Sequence, residues 1–496
     1  MVHESLSRHM SRPFIRLGVR TLHPLFSIVG KRAFVVVILT TSSMTDDVHT
    51  LFVSWRCRQC HAMCRHVDDL AFQKEMLPMH TTIHRDSFLA KLLEGLPLEN
   101  SRGQPLSRSV PFRVPGQGAE VSALIAAIDN GNDAFKGAIM HAGTPTLLTK
   151  RIVTAYAPAR TIRLGEGITT YQVNDSEPFW MGEDALSASS SESLPVGLTP
   201  ERLPDERFQA YFAACLVALL IEAGYTPGTH HLSVSFGIPN EEMTLQGAQP
   251  KVSQALRLLF NVPFAVKRTD EQGHLAHWNV RLIELAPYPQ SFGAFAAWYY
   301  TVDGRAIETS VVRHVTLDIG GGQCHDCAVD LEPRSDGRVK LRMSASLLGE
   351  GTIAIARAAR EAIRARHSGI HLTDAEAQQV LLTRHVIIGG HRVAVDELVE
   401  DVIAARSQHL FTRMLPFVQE GRNFLLFTGG GSVLLEQQLR AMVMPTRTQS
   451  QYLFVPAALL PVLNVIGGYV LAQASVQKAL AARETSPNRL MTAEMR

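Results

Sequence analysis

The chain has 496 residues, 46% hydrophobic and 19% charged, with 35 Gly, 25 Pro and a formal net charge of +2. This is about two to four domains of chain, and its composition excludes a disordered, collagenous or coiled-coil protein. The balanced charge gives no bulk electrostatic case for direct nucleic-acid or membrane binding, and six cysteines are too few for a disulfide scaffold and fit a reducing, cytoplasmic setting.

Residues 1–118 read as a poor fold candidate. Six cations (Arg8, Arg12, Arg16, Arg20, Lys31, Arg32) and no acid lie between Ser5 and Thr45, and the apolar run Ala33–Leu39 follows. A basic segment ahead of an apolar run has the form of a targeting leader. The basic part is long, however, and no A-x-A site follows. The expectation is a poorly ordered extension, or coding sequence upstream of a start at Met76 or Met79. No apolar run reaches the roughly 18 residues of a membrane-spanning helix. Cys57, Cys60, His61, Cys64 and His66 are zinc-ligand types. They crowd into ten residues rather than two separated pairs, and no zinc site is assigned. Ser101–Gly118 holds Pro105, Pro111, Pro115 and three glycines without a period, and reads as a linker.

From Ala119 short β-type runs alternate with longer amphipathic stretches, which predicts an α/β class. Leu124–Ile128 ends in Asp129-Asn130-Gly131, with Lys136 on the returning strand. Such a tip can offer backbone N–H groups and an ammonium to phosphate oxygens; it can equally be a plain Asx-Gly turn. Phe208–Ala223 is helical by its spacing of Phe212, Leu216, Leu219 and Leu220. His231–Phe236 reads as a strand closed by Gly237-Ile238-Pro239. Gln290, in Pro289-Gln290-Ser291-Phe292-Gly293-Ala294, can orient a water but cannot act as a strong base.

Val311–Ile319 is a strand with one buried face, ending in Asp318-Ile319-Gly320-Gly321-Gly322-Gln323. Three glycines lose much backbone entropy, and close approach of a ligand to the main chain would explain them. Thr352–Arg366 is helical and basic. Arg422–Phe427 is a strand closed by Thr428-Gly429-Gly430-Gly431 and followed by the helix Leu434–Met442, a junction that favours a nucleotide contact. It is neither a Walker A loop nor G-x-G-x-x-G. A coarse echo relates the Asp-x-Gly strand ends at Asp129 and Asp318.

In this order the motifs resemble the actin, heat-shock chaperone and sugar-kinase ATPase superfamily, over about residues 120–483. Asp129-x-Gly131 with Lys136 is similar to its first phosphate loop. Gln290 with Gly293-Ala294 resembles the first connecting segment, and Asp318-Ile319-Gly320-Gly321-Gly322 the second phosphate loop. Thr428-Gly429-Gly430-Gly431 resembles the adenosine segment, and Asn464-x-x-Gly467-Gly468 the second connecting segment. Within the superfamily the likeness is strongest to bacterial plasmid-segregation actins of the ParM/StbA kind. It rests on Tyr171-Gln172-Val173-Asn174, on Phe179-Trp180-Met181-Gly182-Glu183-Asp184-Ala185, and on Gly237-Ile238-Pro239.

The resemblance implies an actin-like fold of two lobes around a cleft: lobe I over 119–310 with 467–483 returning to it, lobe II over 311–466, and a tail at 484–496. It implies ATP or GTP with Mg²⁺. Asp129 and Asp318 would position metal-bound water, and Gln290 the attacking water. Lys136 would neutralise phosphate charge. Gly131, Asn132, Gly320, Gly321, Gly322 and Gln323 would surround the phosphates, Gly349 and Gly351 would meet the ribose, and Gly429, Gly430 and Gly431 would back the adenosine. It further implies an ATPase that self-associates head to tail into filaments, in plasmid or DNA segregation, with a DNA-binding adaptor as partner.

The sequence departs from the pattern after the second glycine run. There D-I-G-G-G-T-T-D becomes Gln323-Cys324-His325-Asp326, without the hydroxyls and with the second Asp one place late. Strand alternation sets Gln323, His325 and Cys327 on one face and Cys324 and Asp326 on the other. That facing argues against a Cys324–Cys327 redox pair, and it moves phosphate contacts to the backbone. A same-fold ATPase or scaffold in chaperone, cell-shape or pilus-assembly roles stays open. A metabolite kinase would need a further carboxylate base, and none is identified. Arg357, Arg360, Arg364 and Arg366 form a helical strip that is either solvated or a partner surface. His230-His231 reads as strand-entry surface, and the serine-rich loop Ser187–Ser193 carries no chemistry.

Overall fold

The computed structural model describes residues 84–484, apart from internal breaks of which 187–204 and 239–258 are the longest, and ahead of them the strands within 19–56. The Cys57–His66 cluster, Asn132, Ser187–Ser193, Pro239 and the tail beyond residue 484 lie outside the described residues. The chain divides into two compact units, Met1–Pro78 and Met79–Arg496. In the first, β1 (Val19–Val29), β2 (Arg32–Ser42) and β3 (Val48–Arg56) pair as an antiparallel meander.

The second unit opens with α1 (Phe88–Leu93), started by the Ser87 hydroxyl, which accepts from the Ala90 amide at 3.1 Å. Next comes β4 (Ser109–Arg113), which pairs antiparallel with β5 (Glu120–Asn130). Of the stretch expected to be a linker, residues 109–113 thus belong to the folded sheet, and the compact unit begins at Met79 rather than after residue 118; residues 114–118 lie outside the described residues. The physical reason is apolar: Phe88, Leu89, Leu98, Leu106 and Val110 are all buried. A short strand that buries alternate residues lacks the length to show a period.

Apart from a two-stranded hairpin over residues 385–394, the strands from β4 onward build two sheets. The larger contains β6 (Ala134–Met140), β7 (Leu147–Val153), β8 (Tyr156–Pro158), β9 (Thr170–Val173), β10 (Phe179–Met181), β11 (Thr229–Ile238), β12 (Pro263–Thr269) and β13 (Leu275–Pro289). Its order is β7-β6-β5-β11-β13-β12-β9-β10-β8. The helices α2 (Glu183–Leu186), α3 (Glu206–Glu222) and α4 (Gln290–Tyr299) belong to this half of the chain. The Asp205 carboxylate caps α3 by accepting from the amides of Arg207 and Phe208.

The smaller sheet holds β14 (Arg313–Ile319), β15 (Gln323–Pro333) and β16 (Val339–Glu350). The helices α5 (Thr352–Arg366) and α6 (Asp374–Thr383) follow, then the hairpin β17 (His385–Ile388) and β18 (His391–Ala394), and α7 (Asp396–Gln419). β19 (Asn423–Thr428), α8 (Ser432–Val443), β20 (Tyr452–Phe454) and α9 (Leu463–Glu484) complete the unit. The sheet order is β16-β15-β14-β19-β20.

The two sheets share one plan. In each, three antiparallel strands come first, and two further strands join parallel on the far side of the first strand. The triplets are β5-β6-β7 and β14-β15-β16; the parallel additions are β11-β13 and β19-β20. The echo between Asp129 and Asp318 is thus the tip of the same strand in two copies of one motif.

Side-chain alternation assigns the faces. Ala126 and Ile128 of β5 pack with α3, whereas Ala123, Ile125 and Ala127 pack with α4 and α9. On β14, Val315, Leu317 and Ile319 pack with α5, α7 and α8. The layer of α4 and α9 buries Phe295, Trp298, Leu463, Ile466 and Tyr469 against both sheets. Asp129 and Asp318, in the alternate positions, therefore both face that middle layer. A lobe boundary between 466 and 467 falls inside the single helix α9.

Candidate functional site

At the first tip Asp129 and Lys136 are direct partners across the β5–β6 pair, with Nζ 3.5 Å from Oδ2. Asp129 is 2% exposed. An almost fully buried carboxylate needs compensating donors, and Gln290 supplies another: its Nε2 donates to Oδ1 at 2.5 Å. Gln290 opens α4 directly after β13, so one strand end aims it at the tip of another.

At the second tip Asp318 accepts from Asn464 Nδ2 at 2.7 Å. Asn464 is the second residue of α9. Its main-chain oxygen accepts from the Tyr288 hydroxyl at 3.1 Å. Burial, and then the nearby charge of Asp129, push the Tyr288 phenol well above its ordinary value. Tyr288 thus feels the charge of Asp129 while holding the start of α9, where Asn464 meets Asp318, and Gln290 ties Asp129 to α4.

Glycines permit these approaches. A Cβ on Gly293 would lie 2.1 Å from the Asn464 oxygen, one on Gly467 1.6 Å from the Gly293 oxygen, and one on Gly468 2.4 Å from the Tyr288 hydroxyl. α4 and α9 cross with their backbones in contact, which only glycine allows. Gly429 has φ +83°, and a Cβ there would meet Asp318 Oδ1 at 2.4 Å. The Gly431 amide donates to the Ile319 carbonyl at 2.8 Å. The third glycine run is thereby folded over the second tip.

The hairpin Gly320–Gly322 does two things at once. Its three carbonyls accept the amides of Thr352, Ile353 and Gly351 at 3.1, 2.9 and 2.9 Å. They stand in for a side-chain cap on α5, whose N-cap is Gly351. In a planar trans peptide the N–H points opposite to the C=O. The amides of Gly321 and Gly322 are consequently aimed away from α5, as a pair of donors suited to an anion. Gly351 is held tightly here: a Cβ would sit 2.2 Å from the Gly320 oxygen. Its place under the hairpin accounts for that glycine by packing. Gly349 (φ +146°) lies by Arg406, which donates to the Glu350 carbonyl.

The altered run after the glycines obeys the alternation. His325 stands directly opposite Asp318 on β15, 8% exposed, with Nε2 3.2 Å from the Gln323 side chain. Asp326 turns to the opposite face and binds the Ser346 hydroxyl; burial raises its carboxyl above the usual range. The second carboxylate of the hairpin does not join Asp318. Cys324 and Cys327 fall on opposite faces. Burial, and then the charge of Asp318, push the Cys324 thiol up to about 12; burial chiefly raises Cys327 as well. Neither is poised as a thiolate. Among the described residues no group of three or more His, Cys, Asp or Glu has a metal-ligand arrangement.

The structure sets Asp129 and Lys136 against Gln290 at the first tip; at the second it sets Asp318 and the Gly320–Gly322 hairpin against Gly429–Gly431, with Gln323 beside His325. Gly131 follows the first tip. Sequence reasoning left out the contact of Asn464 with Asp318, the Tyr288 hydroxyl, and the place of His325 across from Asp318. For the last, the β14–β15 register was readable by counting back from a tight hairpin. The arginine strip of α5 is partly consumed: Arg357 and Arg360 both bind Asp374, at 2.7 and 2.6 Å. Among the described residues no helix is long and apolar enough to cross a membrane.

No protein-family model matches this sequence, and no curated protein matches it by sequence. Solved structures do match in three dimensions. The archaeal actin homolog Ta0583 is similar at a TM-score of 0.51 and 18% identity, over 70% of this chain and 99% of that one. A non-polymerisable quadruple mutant of pCBH ParM reaches 0.53 at 14% identity, over 70% and 98%. Bacillus thuringiensis ParM with AMPPNP reaches 0.51 at 14% identity, over 72% and 99%. Identities this low speak to the fold alone. The chain has the actin-like fold seen in an archaeal actin homolog and in ParM structures.

Proposed function

We propose that this chain binds and hydrolyses a nucleoside triphosphate, ATP or GTP, and uses the cycle to assemble and release filaments that segregate plasmid or other DNA through an adaptor protein. The carrying observation is the convergence of Asp129 and Asp318, equivalent tips of a duplicated motif, on Gln290 and Asn464 of the two central helices. The bound AMPPNP of one similar ParM and the non-polymerisable variant of another support the nucleotide and filament parts of the reading. The proposed lobes are those of the two sheets, joined by α4 and α9, and the setting is cytoplasmic.

The donor set fits Mg²⁺ held through water. Both Asp129 oxygens already have protein partners, which suits outer-shell contact better than direct ligation. Bound there, the ion would neutralise phosphate charge. The chain's own residues do the rest. The Gly321 and Gly322 amides accept no reorganisation cost in meeting phosphate oxygens, because the α5 amides already fix the hairpin. Lys136 screens the first tip. Gln290, anchored through its nitrogen, keeps its side-chain oxygen as an acceptor to orient water. Contacts from both tips to one triphosphate would hold the two sheets in one arrangement, and loss of the terminal phosphate would release it.

Phosphate release by the wild type against Asp318→Ala tests the ATPase, and equal rates would remove Asp318 from the mechanism. Light scattering with ATP against ADP tests the filament. A nucleotide-dependent scaffold with slow turnover is the second reading, and the turning away of Asp326 favours it. Sustained scattering with little phosphate release would select it.

A further inference from the structure

Asn464 carries a pattern that the fold by itself does not require. The residue is 8% exposed. Its Nδ2 donates to Asp318 Oδ2, and its main-chain oxygen accepts from Tyr288. Its Oδ1 is buried with no hydrogen-bond partner among the described residues. An amide can be turned by 180°, but an ionised carboxylate only accepts, so the nitrogen must face Asp318. The oxygen on the same amide carbon is thereby committed to lie beside the carboxylate. A buried acceptor without a donor is costly. Two acceptors side by side are tolerated where something rich in donors enters between or beside them.

We propose that Asn464 is a positioning residue of this site, its nitrogen fixing the carboxylate of Asp318 and its oxygen accepting from the water shell of the divalent cation that accompanies the nucleotide. This rests on the reading of the site given above. It adds a residue 146 positions from Asp318 in sequence, and it gives the Asn464–Gly467–Gly468 segment a chemical task beyond close packing. Because the same residue's main chain holds Tyr288, the cation side of Asp318 is tied to the helix crossing that joins the two sheets. Outer-shell partners of this kind commonly change metal affinity by about 10–100-fold when removed.

The test uses the full chain and a fluorescent ADP analogue, titrated with Mg²⁺ and separately in excess EDTA. Asn464→Leu keeps the volume and removes both polar atoms; Asn464→Ala serves if the leucine variant does not fold. The expected result is a Mg²⁺ midpoint raised at least tenfold, with affinity in EDTA within about twofold of wild type and an unchanged circular-dichroism spectrum. A midpoint equal to wild type overturns the inference and leaves the nucleotide reading standing. Equal losses with and without Mg²⁺ also overturn it, since they mark a purely structural residue. A wild-type chain that binds no nucleotide overturns the reading of the site, and this inference with it.

Discussion

Gln290 donates its side-chain amide to Oδ1 of Asp129, across 161 positions of sequence, and this single bond ties the start of α4 to the tip of β5. It also divides the labour within one side chain. The nitrogen is spent on the carboxylate, and in the proposed mechanism the oxygen orients a water.

Replacing Gln290 by alanine should therefore separate turnover from binding. Misplacing a reacting group by an ångström costs about 10²-fold, so phosphate release by Gln290→Ala should fall by roughly that factor. Affinity for a fluorescent nucleotide should change no more than a few-fold. Single-turnover phosphate release beside equilibrium titration reads both. An unchanged rate would show that the glutamine only anchors Asp129.

The crossing of α4 and α9 predicts a sharp contrast among glycines. Gly293→Ala and Gly467→Ala would each drive a methyl into backbone, at 2.1 and 1.6 Å. Each should cost about 2–4 kcal/mol and lower the urea midpoint. Gly430 has nothing within 4 Å of a Cβ, so Gly430→Ala should stay within about 0.5 kcal/mol. Any effect of that change should show instead in nucleotide affinity.

His314 should contribute to the acid limb of stability. It is fully buried among Trp298, Phe295 and Phe424, with ring centroids 4.6, 5.2 and 5.4 Å away. Neither ring nitrogen has a hydrogen-bond partner among the described residues, and burial holds its pKa down at about 3. The unfolded chain takes the proton near pH 6.5 while the folded one does not. Stability is thus complete above 6.5 and falls as pH drops from 6.5 toward 3, by up to about 1.4 kcal/mol per unit. At pH 5 the loss should be about 2 kcal/mol. Urea midpoints from pH 5 to 8 should show this slope, and His314→Phe should remove that part of it.

Truncation tests where the second unit begins. A chain starting at Met79 should keep the cooperative transition, since Met79–Arg496 is compact by itself. A chain starting at residue 119 loses Phe88, Leu89, Leu106 and Val110 from the core. It should lose on the order of 5 kcal/mol, enough to abolish a sharp thermal transition in a typical domain.

Residues 101–118 show why that boundary was hard to read. Their prolines and glycines signal irregular chain, and β4 has only five residues in which to show alternation. Its assignment depends on the register with β5, a long-range fact. Longer elements were legible. The helix expected over Thr352–Arg366 is α5. The Phe208–Ala223 pattern is α3 within two residues at its start, because the spacing of apolar residues is a local property that survives in any fold.

The same division holds at the site. Asp129, Asp318, the glycine runs and Gln290 were readable one by one, since a carboxylate at a strand end followed by glycine constrains the backbone within a few residues. The α/β class followed from the alternation of two periods. The meeting of those parts was not local. Strand alternation alone set the facing of Asp326, whereas the amide of Asn464 against Asp318 and that of Gln290 against Asp129 depend on how two sheets press upon α4 and α9. Packing at backbone contact distance decided them, because close crossing of helices is set by the sum of many distant side-chain volumes and by no short stretch of chain.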